Sequence, residues 1–172
     1  MKPVKIDVEK YKAIFNSLIF RCLALFLSPV PLALAGDNLI YVHPKTLSPT
    51  VEHSFSPLVV SRNTNTIYVS GQVARDLSGN IVGGDDLEKQ MVQALTNIKT
   101  ALAEVGATMQ NIARLEIYIV DYSSDKLPAY SAAMKQFFDS EHLPANTLLG
   151  IESLAFPGYM VEITATAVLD SQ

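Results

Sequence analysis

The sequence has few of the residues that several common kinds of chemistry require. Its only cysteine, Cys22, lies near the N-terminus, so the rest of the chain is predicted to contain no disulfide and no thiol chemistry. The histidines at 43, 53 and 142 show no i, i+4 pair and no nearby carboxylates in ligand spacing, which disfavours a metal site. There is no G-x-S-x-G nucleophile elbow, and SGNIVGG (78–84) lacks the spacing of a phosphate-binding loop. We therefore predict no metal and no cofactor.

The longest apolar run is too short to form a permanent transmembrane helix. CLALFLSPVPLALA (22–35) has about 14 residues, whereas a span needs about 20. Basic residues precede this run, and it ends in Ala-Leu-Ala, a small-x-small terminus. These features predict an export signal at 1–35, cleaved before Gly36, and a mature domain at 36–172 that is periplasmic or secreted. The acidic residues in the basic front leave open an amphipathic leader or a misassigned start codon.

Basic residues are also scarce beyond the leader. Residues 36–172 carry 8 Lys and Arg against 15 Asp and Glu, a formal net charge of −7. A surface of that sign is repelled by the phosphate backbone, and no basic run offsets it. The charge therefore argues against nucleic-acid binding, and we also predict no membrane association after cleavage.

The hydrophobic pattern of the mature domain interleaves strands with helices. We predict a short strand at 39–44, a hairpin of strands 58–61 and 66–72, and a strand at 113–121. One helix opens at Asp85 and Asp86, carries an apolar stripe and ends at Gly106, and a second has Leu127, Tyr130, Met134, Phe137 and Phe138 on one face. This order predicts an α/β fold with the helices against one face of a sheet.

HLPANTLLGIESLAFPGYMVEITATAVL (142–169) predicts two further strands joined by a turn at Pro157 and Gly158, a hairpin that closes the domain. In the second strand Glu162 shares a face with Thr164 and Thr166. Two interpretations remain open, because Glu162 could lie on a solvated strand face or supply a carboxylate to a cleft between subunits.

Several segments together resemble the RidA (YjgF) family across residues 39–169. The strand IYVSGQ ends in the family's Ser-Gly-Gln, and QMVQALTNI begins a helix like its Q-x-x-x-A-L-x-N-I helix. AYSAAMKQFF resembles its second helix, and PAN, PG and VEI follow in the order of its last two strands. The resemblance implies a chorismate-mutase-like subunit with a mixed sheet and two helices on one face. It also implies a homotrimer with a central β-barrel and a small-molecule cleft between subunits.

In active family members the cleft hydrolyses imine or enamine forms of amino acids to 2-keto acids and ammonia. By resemblance, Glu162 occupies the position of the catalytic Glu that orients water, and Ser70 that of the Ser in Ser-Gly-Gln. The other predicted substrate-binding positions differ from the family pattern. Asn146 replaces an Arg that binds the substrate carboxylate, Leu58 a Tyr, Ser131 an Asn, and Leu148 a residue that is often Cys.

Asn146 can donate a hydrogen bond but carries no charge, so a 2-imino acid is expected to bind poorly unless another group, such as Arg62, Arg75 or backbone N–H groups, holds its carboxylate. With Leu58 and Leu148 nearby, the pattern favours a neutral ligand. Two functions remain open: a divergent imine hydrolase or deaminase with reduced activity on 2-imino acids, and a non-catalytic module that binds a small ligand. The acidic mature chain disfavours a third, ribonuclease activity.

Overall fold

The computed structural model describes residues 38–50 and 53–169, and the predicted export signal lies outside these ranges. In them no helix is both long and apolar enough to cross a bilayer. The strands and helices have the following bounds: β1 Leu39–Val42, β2 Leu58–Ser61, β3 Thr66–Val73, α1 Leu87–Ala103, β4 Ile112–Val120, α2 Leu127–Lys135, β5 Ala145–Ile151 and β6 Val161–Val168. Short 3-10 turns at Met109–Asn111 and Ser124–Lys126 precede β4 and α2.

Helix α1 begins and ends as its sequence predicts. The Asp86 carboxylate accepts a hydrogen bond from the Lys89 backbone N–H at 3.1 Å, which satisfies one free donor of the first turn. After the helix, Gly106 has a φ of +76°, a left-handed conformation that suits glycine. The apolar stripe of α1 is buried against the sheet, with Met91, Leu95 and Ile98 fully inaccessible.

Helix α2 is shorter than the sequence pattern predicts. It ends at Lys135, so Phe137 and Phe138 follow it instead of extending its apolar face. Leu127, at its first position, is 43% exposed and does not belong to the buried face. The prediction of one continuous face was therefore wrong at both ends. Phe137 and Phe138 lie beyond the helix, and Leu127 lies in its first turn but faces solvent.

The six strands form one sheet in the order β1-β2-β3-β6-β4-β5. Strands β2 and β3 form the predicted antiparallel hairpin. The predicted hairpin of the last two strands was wrong, because β4 lies between β5 and β6. Strand β5 pairs parallel to β4 after the α2 crossover, and β6 pairs antiparallel to both β3 and β4. The sheet is therefore mixed, as predicted, but β6 has β3 and β4 as its neighbours instead of β5.

The two faces of the sheet have different surroundings. One face is buried with the helices and includes Leu115, Ile117, Val161 and Ile163. On the other face, Glu162, Thr164 and Thr166 are half-buried, as alternation along β6 predicted. Large apolar side chains, including Tyr41, Tyr68 and Leu149, are exposed on the strands. We call the side away from the helices the open face.

Candidate functional site

The Ser-Gly-Gln segment forms a β-bulge beside Glu162. Val69 lies opposite Ala165 and Gln72 lies opposite Ile163, so β3 takes three steps where β6 takes two. The extra residue falls at Ser70–Gly71. Bulges bend a strand and redirect its side chains, and they are frequent next to functional sites. Here the bulge allows both Val69 and Gln72 to be buried while the segment between them faces Glu162.

Gly71 leaves the space that the Glu162 carboxylate occupies. A Cβ at position 71 would lie 1.9 Å from Oε1 of Glu162 and 2.6 Å from its Cδ, so no side chain fits there without displacing the carboxylate. The absence of a side chain is thus required by the partner strand. Burial raises the pKa of the Glu162 carboxyl above its ordinary value of 4.5, because the charged form loses hydration. The site therefore holds a carboxylate that is more basic than an exposed one.

Glu162 opens into a cavity of about 280 Å³. Ser70, Gly71, Val73 and Arg75 form the β3 side, and the loop between β5 and β6 contributes the opposite wall through Leu154, Ala155, Phe156 and Tyr159, with His53 and Phe55 completing it. A mainly apolar cavity with a few polar groups is typical of small-molecule sites. Within the described ranges, no three His, Cys, Asp or Glu side chains are grouped so as to hold a metal ion.

Ser70 is fixed by the segment that precedes β2. Its hydroxyl donates to the Ser56 carbonyl at 2.8 Å, and its backbone N–H donates to the Pro57 carbonyl at 3.0 Å. The hydroxyl proton is therefore engaged, and the lone pairs on the oxygen remain available. Ser70 and Glu162 are the two predicted site residues that the fold brings to the same cavity.

Asn146, Leu148 and Ser131 lie elsewhere. Asn146 is exposed on β5, and its side-chain amide donates to the hydroxyl of Tyr130 on α2. Leu148 packs against the core, and Ser131 is half-buried on α2. We call this region, Tyr130, Ser131, Asn146 and Leu148, the β5 edge.

The β5 edge and Glu162 occupy opposite faces of the sheet. Asn146 pairs with Leu115, which is buried beneath the helices, whereas Glu162 pairs with Tyr118 on the open face. A single chain therefore does not bring Asn146 to Glu162. A site that contains both needs a second copy of the chain.

Leu58 belongs to the core. Its side chain is fully buried, and it lies opposite Val69, which is also buried. The expectation that Leu58 lines a pocket is not met in this chain, because β2 turns the side chain towards the helices. Burial of β2 between β1 and β3 could not be read from the Ser-Pro-Leu segment alone.

Two buried amides that the sequence analysis did not single out hold the cavity walls. Gln90 donates to the carbonyls of Gly84 and Gly158, at 2.6 and 2.9 Å, and accepts from the Met160 N–H at 2.8 Å. These bonds fix the segment that carries Tyr159. Polar residues on the apolar stripe of α1 are the sequence signal for such a role, since a buried amide needs partners.

Asn97 acts in the same way on the other wall. Its amide donates to the carbonyls of Val73 and Arg75, at 3.1 and 2.9 Å, just after β3 leaves the sheet. Gln90 and Asn97 are the Gln and Asn of the QMVQALTNI segment. The helix motif therefore connects the core to both sides of the cavity.

Comparison with known proteins gives a consistent family. Residues 45–169 match the family model described as endoribonuclease L-PSP. A 2-iminobutanoate/2-iminopropanoate deaminase of Dermatophagoides farinae is 30% identical over 106 residues, covering 62% of this chain and 80% of the relative. A deaminase of the same name from Capra hircus is 36% identical over 104 residues, covering 60% of this chain and 72% of the relative.

A solved structure supports the same assignment. YyfB of Yersinia pestis, a Rid-family protein of unknown function, is 37% identical and superposes with a TM-score of 0.59, covering 77% of this chain and 99% of its own. The family model spans most of the chain, and the relatives agree with the motifs that resembled RidA. The chain therefore belongs to the endoribonuclease L-PSP family, which is the RidA (YjgF) family.

Proposed function

We propose that this protein hydrolyses small imines, with Glu162 as the general base. The observation that carries the proposal is the half-buried Glu162 carboxylate, placed over Gly71 in a β-bulge and open to a small cavity. The deaminases among the relatives act, by their names, on 2-iminobutanoate and 2-iminopropanoate. The shared family and the retained acid support the same reaction class here.

The proposed chemistry needs one base and one water molecule. Glu162 accepts a proton from water as the water oxygen attacks the carbon of the C=N bond, and the π electrons move to nitrogen, which takes up a proton. The carbinolamine then collapses: protonated Glu162 gives its proton to the nitrogen, the C–N bond breaks as the hydroxyl forms the C=O bond, and the hydroxyl proton passes to solvent, replacing the proton that nitrogen took from solvent in the first step. The products are a carbonyl compound and ammonia. Burial raises the pKa of Glu162, which makes its carboxylate a better proton acceptor than an exposed one.

We propose that the active form is a homotrimer. The open face carries exposed apolar side chains such as Tyr41, Tyr68 and Leu149, and apolar patches of this kind mark interaction surfaces. A second copy would also be needed to bring the β5 edge to Glu162. Light scattering on residues 36–172 should give the mass of three chains, and a stable monomer at micromolar concentration would contradict this assembly.

We propose that activity on 2-imino acids is reduced relative to members that carry an Arg at position 146. Asn146 offers no charge, and its amide is already bonded to Tyr130. A hydrogen bond to a charged group is worth about 1.5–3 kcal/mol, and a bidentate guanidinium contact exceeds a single one. The same feature favours a second candidate, a non-catalytic module that binds a small ligand in the same cavity.

The test of turnover uses an imine generated in situ, with 2-iminobutyrate supplied by an amino-acid oxidase. Wild type should accelerate 2-ketobutyrate formation above the uncatalysed rate, and Glu162→Gln should lower the enzymatic rate by about 100-fold or more, because an amide cannot accept the proton. Glu116→Gln is the matched control, since Glu116 is a half-buried carboxylate of the open face that bonds Thr164 at 3.2 Å. No acceleration by wild type, together with binding of 2-ketobutyrate, would favour the non-catalytic module.

We also propose that the protein is exported and begins at Gly36. The basic front, the short apolar run and the Ala-Leu-Ala terminus support this. Intact-mass measurement on protein isolated from its host should give residues 36–172, and a full-length product retaining Cys22 would contradict export.

A further inference from the structure

Arg75 places its guanidinium on the wall of the Glu162 cavity. Within the described ranges it is the only Lys or Arg side chain on that wall. Its Nε atom is buried and has no hydrogen-bond partner, and no ion pair within those ranges involves Arg75. Buried donors on charged groups are normally bonded, because leaving them unpaired costs stability. A guanidinium beside a small-molecule cavity that has no partner among the described residues can bind an anionic group of a ligand.

The backbone around Arg75 is fixed in place. Its carbonyl accepts from the buried Asn97 amide at 2.9 Å, and its N–H donates to the Val73 carbonyl at 2.8 Å. Its side chain lies against Gly79, where a Cβ would come within 3.0 Å of Nη2. Gly79 has a φ of +91°, so the turn both requires glycine and leaves room for the guanidinium. The fold thus fixes the backbone of Arg75, and the half-buried side chain lies in the space beside Gly79.

Arg75 is close to Glu162 without pairing with it. Val73 lies directly opposite Glu162 on the neighbouring strand, and Arg75 follows two residues later, after a turn closed by the hydrogen bond from the Arg75 N–H to the Val73 carbonyl. Both residues line the same cavity, yet they form no salt bridge. The cavity therefore offers a base and a separate cation within the length of a small molecule.

We propose that Arg75 binds the carboxylate of the substrate and replaces the anion contact that Asn146 has lost. This proposal rests on the proposed imine hydrolysis and assigns the contact with the substrate carboxylate to a residue of the Glu162 cavity. The planar guanidinium suits a carboxylate, to which it can donate two parallel N–H bonds. The apolar walls formed by Phe156 and Leu154 then contact the carbon chain of the substrate.

The test separates binding from turnover. Isothermal titration with 2-ketobutyrate, the unreactive product, measures the affinity of residues 36–172 as wild type, Arg75→Gln, Arg75→Lys and Arg62→Gln. Arg75→Gln should weaken binding at least 10-fold, Arg75→Lys should retain part of the affinity, and Arg62→Gln, an exposed turn residue, should change it less than 2-fold. Binding of the neutral amide of 2-ketobutyrate should not respond to the Arg75 variants. In the imine assay Arg75→Gln should raise KM more than it lowers kcat.

Other results would overturn either the Arg75 contact or the proposed reaction. Unchanged 2-ketobutyrate binding in Arg75→Gln, or no binding by wild type, would overturn the Arg75 proposal. Loss of 2-ketobutyrate binding on Arg75→Gln, with no imine hydrolysis by wild type, would retain the Arg75 contact and overturn the proposed reaction. Arg75→Gln should also keep the wild-type mass in light scattering and the wild-type melting temperature. A smaller assembly or a clearly lower melting temperature would mean that Arg75 bonds another subunit, which would overturn the proposal.

Discussion

The Glu162 cavity and the β5 edge lie on opposite faces of one sheet, and they treat polar groups differently. In the cavity, Glu162 is half-buried with a raised pKa, and the buried Nε of Arg75 has no partner in the described part of the chain. At the β5 edge, the polar groups of Asn146 and Tyr130 bond each other. Unpaired charged groups oppose folding, whereas paired neutral groups do not. The comparison shows that the cavity, and not the β5 edge, holds the charged groups that cost the fold stability, which is the pattern expected of the proposed site.

Among changes outside the Glu162 carboxylate itself, the largest predicted effect concerns Gly71. Gly71→Ala should lower imine turnover by about 100-fold, or about 2.7 kcal/mol, because the new Cβ displaces the Glu162 carboxylate. The stability cost should stay below about 3 kcal/mol, since the far end of Glu162 can move. Kinetics and chemical denaturation measure the two effects.

The matched control for this prediction is the double variant Gly71→Ala with Glu162→Ala. Truncating Glu162 removes the three atoms that lie closest to the new Cβ, so Gly71→Ala should cost less stability in that background than in wild type. Equal costs in both backgrounds would show that Gly71 is needed for backbone conformation and not for space.

The next effect tests the cavity wall. Gln90→Met should lower the free energy of unfolding by about 2–3 kcal/mol, because the fully buried amide bonds Gly84, Gly158 and Met160. It should also raise KM, since the 158–160 segment carries a wall of the cavity. Denaturant melts and initial rates provide the measurements, with the exposed Gln136→Met as control, expected within about 0.5 kcal/mol of wild type. A stability loss with unchanged KM would show that Gln90 stabilises the fold without shaping the cavity.

Only part of the fold could be predicted from the sequence. The α1 stripe, the β2–β3 hairpin and the face of Glu162 follow from local periodicity, and the structure confirms them. The neighbour of β5 does not follow, because periodicity identifies a strand but not its partner. The position of β4 between β5 and β6 depends on how all the strands of the sheet pair, which local sequence patterns do not encode.

The candidate site divides in the same way. Ser70 and Glu162 were proposed from family motifs, and the fold places them in one cavity. The contact between Gly71 and Glu162 depends on the pairing of β3 with β6. These strands are neighbours in the sheet but lie far apart in the sequence. The burial of Leu58 is likewise a consequence of packing, since a leucine after a proline carries no signal that distinguishes a cavity wall from a core.

A smaller effect is expected at the β5 edge. In the proposed trimer, Asn146→Arg should raise kcat/KM for 2-iminobutyrate by about 3- to 10-fold, because a guanidinium there adds an anion contact worth about 1 kcal/mol or slightly more. Asn146→Ala should change kcat/KM by less than about 3-fold, since the wild-type amide is neutral. Steady-state kinetics on both variants provide the measurement. An unchanged kcat/KM in Asn146→Arg would place position 146 outside the cleft.

The smallest effect is on stability and depends on pH. Because the folded pKa of Glu162 is raised, the folded state binds this proton more tightly than the unfolded state. Its contribution to stability is present below pH 4.5 and is lost as pH rises through the folded pKa. Glu162→Gln should therefore melt about 1–3 °C higher than wild type at pH 7, with the difference shrinking towards pH 4.

Asp76→Asn provides a comparison of opposite sign. Hydrogen bonds from Asn80 lower the pKa of Asp76 below its ordinary value of 3.8. The charged carboxylate therefore stabilises the folded state at pH values above 3.8. This variant should melt lower than wild type at pH 7 and approach it in acid. Thermal melts between pH 3 and pH 8 measure both variants, and a Glu162→Gln protein less stable than wild type at pH 7 would contradict the burial argument.

The pH dependence of kcat/KM for imine hydrolysis tests most directly whether Glu162 is the base. After subtraction of the uncatalysed rate, the enzymatic rate should rise with pH through a single ionisation whose pKa lies above the ordinary 4.5 of a glutamate, because burial raises it. In Glu162→Gln this rising limb should disappear with the activity. Two results would contradict the assignment of Glu162 as the base. One is residual activity in Glu162→Gln that rises with pH as in wild type, and the other is a wild-type rate that stays constant as the pH rises above 4.5.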